Sequence, residues 1–401
     1  MFSGDTTDLF QNTRTTRWAM IRMKEGSGIV VANKKIRMMI PGPVEVHPDV
    51  LKAMGSAVEP HYGDAWVAKQ QRVTEILKEI FNTAGDVYLL VGSGTCAIDA
   101  AIGSCLQGGE KILVGTNGYF GDRLVSIAKH NGLEVIEVKA TWGEELDADE
   151  IERALERDPS IKAVAVVHSE TSTTVLNPIQ DIGPIVRRHG QLFIVDAVSS
   201  LGGVPFSMDE WCVDACATAT QKCLGAPPGL GPIAVNERAW KSIDRLQTGE
   251  HGWYTDLRVW RQYAQEWGDW HPTPVTMATN NVNALLVSLT QLKAEGITKR
   301  MERYRSLALQ LREGMRKAGI APFTPDEKLN PVLTAGVAPS GVNSAEIVRY
   351  FLQEYAIQIS GGLGALKAGI FRIGHMSPVM TSEDIELVCE ALASFCRTRN
   401  L

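Results

Sequence analysis

The chain has 401 residues, of which 44% are apolar and 21% charged, and its formal net charge is −6. That is an ordinary globular composition, long enough for two domains and a substantial core. The acidic balance and the lack of any apolar run near ~18 residues exclude nucleic acid and membrane as expected partners. Seven cysteines, at 96, 105, 212, 216, 223, 389 and 396, are scattered and odd in number. This argues against a disulfide framework and fits a reducing, cytoplasmic compartment. Cys212 and Cys216 are spaced four apart but lack further ligands nearby, so no metal site is expected and both read as buried small apolar residues.

Residues 1–45 read as an N-terminal arm. The first 35 show no clear periodicity; Asp5 and Asp8 speak against a transit peptide, and the stretch is expected to be either a flexible arm or an over-extended start with the true start at Met20 or Met23. From 46 to 290 the pattern is that of one large domain. Trp66–Phe81 carries a helical apolar stripe, followed by an apolar strand at Val87–Val91. Further strands are predicted at Lys111–Gly115, Leu133–Val138, Ala163–Val167, Leu192–Val195 and Pro232–Val235. Helices intervene around 96–106, 122–131, 147–156 and 178–189. Apolar strands alternating with helices predict an α/β fold with a mostly parallel sheet covered on both faces. Residues 250–280, with Trp253, Trp260, Trp267 and Trp270, read as a connector. From 291 to 401 a smaller α+β domain is expected. It has a long helix at Ile297–Lys317, strands at Val332–Val337, Ile357–Ser360 and Ile370–Ile373, and helices near 344–355 and 381–397.

Ligands of open α/β sheets sit at the carboxyl ends of the strands, and the chemistry-bearing residues cluster there. Lys222 stands in Thr220-Gln221-Lys222-Cys223-Leu224-Gly225-Ala226-Pro227-Pro228-Gly229, and Asp196 ends the apolar run Phe193-Ile194-Val195. A lysine amine for a Schiff base and a carboxylate for a pyridinium nitrogen are the two groups that pyridoxal 5′-phosphate (PLP) needs from a protein. Gly92-Ser93-Gly94-Thr95 opens a helix after a strand. It is either a capped turn or a phosphate cup, and it is neither a dinucleotide fingerprint nor a nucleoside-triphosphate loop. Asn117-Gly118-Tyr119-Phe120-Gly121 offers an aromatic to core or cofactor. His168-Ser169-Glu170-Thr171 offers hydroxyls, and without Gly-x-Ser-x-Gly it is a poor hydrolase signature. Arg372, inside Phe371-Arg372-Ile373-Gly374, is either one half of a structural ion pair or a carboxylate fork.

These motifs, from Pro41-Gly42-Pro43 to Arg372-Ile373-Gly374 and in this order, resemble the class V, fold-type I PLP-dependent aminotransferases of the alanine/serine–glyoxylate group over about nine-tenths of the chain. The resemblance implies a seven-stranded-type sheet in the large domain. It also implies transfer of an amino group from alanine or serine to a small 2-oxo acid such as glyoxylate or pyruvate, and a homodimer with shared active sites. Residue by residue it implies a Schiff base at Lys222, Asp196 at the ring nitrogen, and Phe120 and Val198 on the two ring faces. Thr171 is implied at the phenolic oxygen, and Ser93, Gly94, Thr95 and Gln221 at the phosphate. Trp270 and Thr273 are implied at the phosphate site of a neighbouring subunit, and Arg372 with Gly42 at the substrate carboxylate. The chain departs from the group at His61-Tyr62-Gly63-Asp64, where relatives often carry His-Arg-Ser. The segments around Lys222 and Arg372 also resemble pyridoxamine–pyruvate aminotransferase, although Leu363 stands where that enzyme has a second arginine. A cysteine desulfurase-like lyase is the remaining alternative, with only Cys389 and Cys396 downstream of Lys222 to serve it.

Overall fold

A computed structural model of the chain describes residues 36–246 and 251–400. The expectations for residues 1–35, including the start at Met20 or Met23, lie outside the described residues.

The central sheet has seven strands in the order Asp86–Val91, Leu230–Val235, Ala215–Ala217, Leu192–Asp196, Ile161–Val167, Lys111–Thr116 and Glu134–Lys139. Leu230–Val235 runs antiparallel to both of its neighbours, and the other pairings are parallel. Most inner strands are buried along their whole length, for example Leu230–Val235 and all but one residue of Ile161–Val167. This explains why they read as unbroken apolar runs rather than as alternation. Ala215–Ala217 escaped the sequence reading because three small residues carry neither period nor β-branching. Glu134–Lys139 is the partly exposed edge, and its Glu-Val-Ile-Glu-Val-Lys sequence is charged as an edge should be.

Outside the expected connector, three helices were not anticipated; one of them, Glu237–Arg245, is capped by Asn236. Pro48–Met54 is short, with Pro at its first turn and His47 capping the Asp49 amide. Thr279–Glu295 lies where Asn280, Asn281 and Asn283 mask an apolar stripe of Val282, Leu285, Leu289 and Leu292. The expected connector over 250–280 holds a helix of its own, Leu257–Glu266, capped by Asp256 and anchored by buried Trp260. Cys216 is buried as expected, whereas Cys212 is half-exposed in a turn with φ 59°.

A second apolar core gathers residues from Tyr304 to Cys396 around the antiparallel sheet Leu333–Val337, Ile370–Gly374 and Ser360–Gly361. Met39, Val44, Val204 and Cys223 also belong to it. Arg37–Met38 pairs in parallel with Ile357–Gln358 in a separate two-stranded sheet, so the chain leading into the large sheet is first tied to the second core. Cys223 follows Lys222 directly, so the lysine stands where the two cores meet.

The large core tolerates no added volume at its tightest helix contact. A Cβ on Gly183 would fall 1.8 Å from the Trp211 carbonyl oxygen, and backbone cannot step aside. Gly183→Ala is therefore expected to lower stability by about 3 kcal/mol. Gly369→Ala, where a Cβ meets nothing within 4 Å, should stay within about 1 kcal/mol. Comparing the thermal midpoints of the two variants with that of the parent checks this, and equal midpoints contradict it.

Candidate active site

One cavity opens at the carboxyl ends of the central strands. Its lining includes Ser93, Gly94 and Thr95 after Asp86–Val91, Phe120 after Lys111–Thr116, and Ser169 and Thr171 after Ile161–Val167. It also includes Asp196 and Val198 at the end of Leu192–Asp196, and Gln221 and Lys222 beyond Ala215–Ala217. Residues far apart in sequence meet here because parallel strands deliver all their carboxyl ends to one edge.

The Lys222 amine donates to the Pro41 carbonyl. Gly42 lies directly against the lysine: a Cβ there would sit 2.5 Å from Cδ, and its φ of +90° also favours glycine. Burial lowers the Lys222 pKa to about 8, so the amine gives up its proton far more readily than an ordinary lysine. Asp196 is raised to about 6, first by burial and against the pull of the Val198 amide, which donates to Oδ1 at 2.8 Å. At neutral pH Asp196 is mostly the anion. Its charge favours the protonated form of Lys222 and so opposes part of the desolvation there.

Ser93 caps the helix Gly94–Cys105, its Oγ accepting from the Cys96 amide at 3.2 Å. The amides at the start of that helix have no partner within the helix, so capping and anion binding are compatible here. A Cβ on Gly94 would fall 2.5 Å from Val198 Cγ2, so only glycine lets this helix end approach the strand end at Asp196. Gln221 lines the same space, and its Oε1 is buried without a hydrogen-bond partner.

Glu170 is fully buried and does not line the cavity, yet it organises one wall. One carboxylate oxygen accepts from the amides of Phe120 (3.0 Å) and Gly121 (2.9 Å). The other accepts from the amide (2.9 Å) and hydroxyl (2.6 Å) of Ser172. Burial raises its pKa and these donors lower it. The net direction is upward; three of the donors are backbone amides, which serve the ionised form, and the Ser172 hydroxyl is the one neighbour that could also accept a carboxyl proton. A Cβ on Gly118 would sit 2.5 Å from the Glu170 side chain, so that glycine makes room for the carboxylate. Thr171 donates to Ser199 Oγ at 2.7 Å, and its carbonyl accepts from Arg372 at 3.0 Å.

Arg372 does not itself line the cavity. It is held against it by the Thr171 carbonyl and by the Gly361 carbonyl, which accepts from Nε at 2.9 Å. These bonds use two of the five guanidinium donors. Burial lowers its pKa to about 10, which still leaves it charged at neutral pH.

Trp270 and Thr273 are not brought to the cavity of their own chain. Trp270 is 52% exposed beside Tyr62 and His271, and Thr273 donates to the Val275 carbonyl. His168 packs against Phe206 and Trp211 with a pKa lowered by burial to about 3, which makes it a core residue and no base. Sequence reasoning missed Ser199, the structural role of Glu170, and Arg123, which lines the cavity one helical turn after Phe120. The period of that helix could have signalled Arg123.

The residues present fit PLP by their chemistry. An amine with a lowered pKa and a carboxylate share the cavity with a glycine-lined helix terminus, an orphaned amide oxygen and an aromatic ring. Comparison with known proteins agrees. The family model for class V aminotransferases matches residues 52–389. An uncharacterized aminotransferase of Methanocaldococcus jannaschii is 38% identical over 363 residues, covering 90% of this chain and 93% of that one. Alanine–glyoxylate aminotransferase of Mus musculus is 32% identical over 358 residues, covering 88% and 85%. The crystal structure of ureidoglycine–glyoxylate aminotransferase from Bacillus subtilis superposes with a TM-score of 0.87 at 31% identity, covering 93% of this chain and 96% of that one. The chain belongs to the class V aminotransferases and is a PLP-dependent enzyme of the fold-type I architecture.

Proposed function

We propose that the enzyme moves an amino group from a small amino acid, alanine or serine, to glyoxylate or pyruvate. The observation that carries this reading is a single cavity lined by both the Lys222 amine and the Asp196 carboxylate, with the Arg372 guanidinium bonded to its wall at Thr171. Bound there, PLP supplies a carbonyl that condenses with amines and a protonated ring that takes up the electron pair left at Cα.

In this reading Asp196 holds a proton on the ring nitrogen through a charge-assisted hydrogen bond. Phe120 and Val198 would flank the ring on its two faces, and Thr171 would turn its hydroxyl from Ser199 to the phenolic oxygen. Ser93, Gly94, Thr95 and Gln221 seat the phosphate. Lys222 would hold the carbonyl end of the resting cofactor through its amine and, when free, would carry the proton at Cα. Its lowered pKa suits it to act as a base. Arg372, with Gly42 beside Lys222, grips the substrate carboxylate and orients the Cα–H bond toward the lysine. Trp270 and Thr273 serve the phosphate site of a second copy in a homodimer. Two hydrophobic cores support a division into domains at about residue 290. None of the seven cysteines is paired, which supports a cytoplasmic setting. A free pyridoxamine donor is the weaker reading, because a phosphate-sized helix terminus would have nothing to hold. A cysteine desulfurase-like reaction is weaker still, because neither Cys389 nor Cys396 lines the cavity.

Half-reactions with a panel of amino donors, followed at the cofactor absorption band, test the reading. Alanine or serine should bleach the band, and silence with every small amino acid contradicts the proposal. Lys222→Ala should lower kcat by a factor on the order of 10³–10⁴. Arg372→Lys keeps the charge and loses the fork. It should raise KM for the amino donor roughly 10- to 100-fold with a smaller effect on kcat.

The Lys222 amine can also be titrated directly. In cofactor-free protein its reductive methylation, read by mass spectrometry, should rise with pH through a midpoint near 8 rather than the ordinary 10.5, because only the neutral amine reacts. Asp196→Asn removes an anion that favours the ammonium form, so the midpoint should move further down. A midpoint near 10 in the parent contradicts this account.

A further inference from the structure

Arg123 lies one helical turn beyond Phe120 in the helix Tyr119–His130 and lines the same cavity as Ser93, Gly94, Thr95, Gln221 and Lys222. Its guanidinium carbon stands 4.7 Å from the centre of the Phe120 ring, and NH1 donates to Thr95 Oγ1 at 3.4 Å. Among the described residues no carboxylate lies within ion-pair distance of it, although most arginines of this protein have one, as Arg187, Arg238, Arg258, Arg300 and Arg312 do. Its positive charge is felt at both Asp196 and Lys222, which places it close to the centre of the site. A half-buried cation that faces a cavity and touches a helix-capping segment, with no carboxylate among the described residues at ion-pair distance, is arranged for an anion that arrives from outside.

The charge balance of the cavity says which anion. The helix terminus at Ser93–Thr95 presents about half a positive charge, and Gln221 is neutral. A phosphate monoester carries about −1.5 to −2 at neutral pH. Lys222 is committed to the carbonyl end of the cofactor, and Arg372 is held by the Thr171 and Gly361 carbonyls. Arg123 is the cation in contact with the Thr95 side of the cavity.

We propose that Arg123 is a phosphate-binding residue of the cofactor site, supplying from within the chain the full positive charge that the Ser93–Gly94–Thr95 terminus lacks. Stacking on Phe120 holds the guanidinium plane in place, so one side chain both backs the aromatic ring and meets the phosphate. The proposal rests on the reading that Ser93–Thr95 seats the phosphate.

The test compares two ligands that differ only in the phosphate. Affinities of the cofactor-free protein for PLP and for pyridoxal are measured by absorbance titration in the parent and in Arg123→Gln, Arg123→Lys and Thr95→Val. If Arg123 meets the phosphate, Arg123→Gln weakens PLP roughly 10- to 100-fold and leaves pyridoxal within about threefold. Arg123→Lys then restores part of the loss, because it keeps the charge. If Arg123 only props Phe120, both ligands weaken together and the PLP-to-pyridoxal ratio stays within about threefold of the parent's, which overturns the proposal. A ratio that collapses in Thr95→Val but not in Arg123→Gln overturns the role of Arg123 and spares the cup. A ratio unmoved in both variants overturns the two together. Arg123→Lys keeps the question answerable should the glutamine variant fold poorly.

Discussion

The constraint on which the rest depends is the desolvation of two opposite charges in one cavity. Lys222 must be able to shed a proton near neutral pH while Asp196 stays charged, and burial shifts the pKa of each toward the neutral form. The enzyme balances this with few contacts. The Val198 amide and the distant lysine hold Asp196 ionised, and the Pro41 carbonyl receives the lysine amine. Stronger pairing would be harmful. A salt bridge between the two would raise the lysine and remove the readily lost proton that makes it useful.

Such an arrangement needs close approach, and three glycines allow it. Gly42 lies against the Lys222 stem, Gly94 against Val198, and Gly118 against the Glu170 carboxylate, each where a Cβ would fall within 2.5 Å of the neighbour. The last contact has the widest reach. Through Glu170 the helix end carrying Phe120 is tied to Ser172, next to Thr171, whose carbonyl holds Arg372. One buried carboxylate thus links the residue proposed for the ring face to the one proposed for the substrate carboxylate. It does so by hydrogen bonding alone and has no surface in the cavity.

Much of this was legible in the sequence, for physical reasons that differ by element. Buried parallel strands announce themselves as apolar runs, and the residues just past their ends were the ones singled out: Ser93, Phe120, Thr171, Asp196 and Lys222 do line one cavity. Ala215–Ala217 and the asparagine-masked helix Thr279–Glu295 did not show, because small or polar residues hide a period that packing alone enforces. Arg123 and Glu170 were hidden in another way. One looks like a solvated helix charge and the other like part of a hydroxyl-rich turn, and only contact with residues 28 and about 50 positions away reveals otherwise.

The sequence by itself determined the α/β class, six of the seven central strands and the identity of the amine–carboxylate pair, since each is written in local pattern and spacing. The tertiary structure alone decided how charged that pair is, which cation faces the cavity with no carboxylate of the described residues beside it, and that Arg372 grips the Thr171 wall. Those properties come from desolvation and from contacts across long sequence separations. Local pattern carries no information about either.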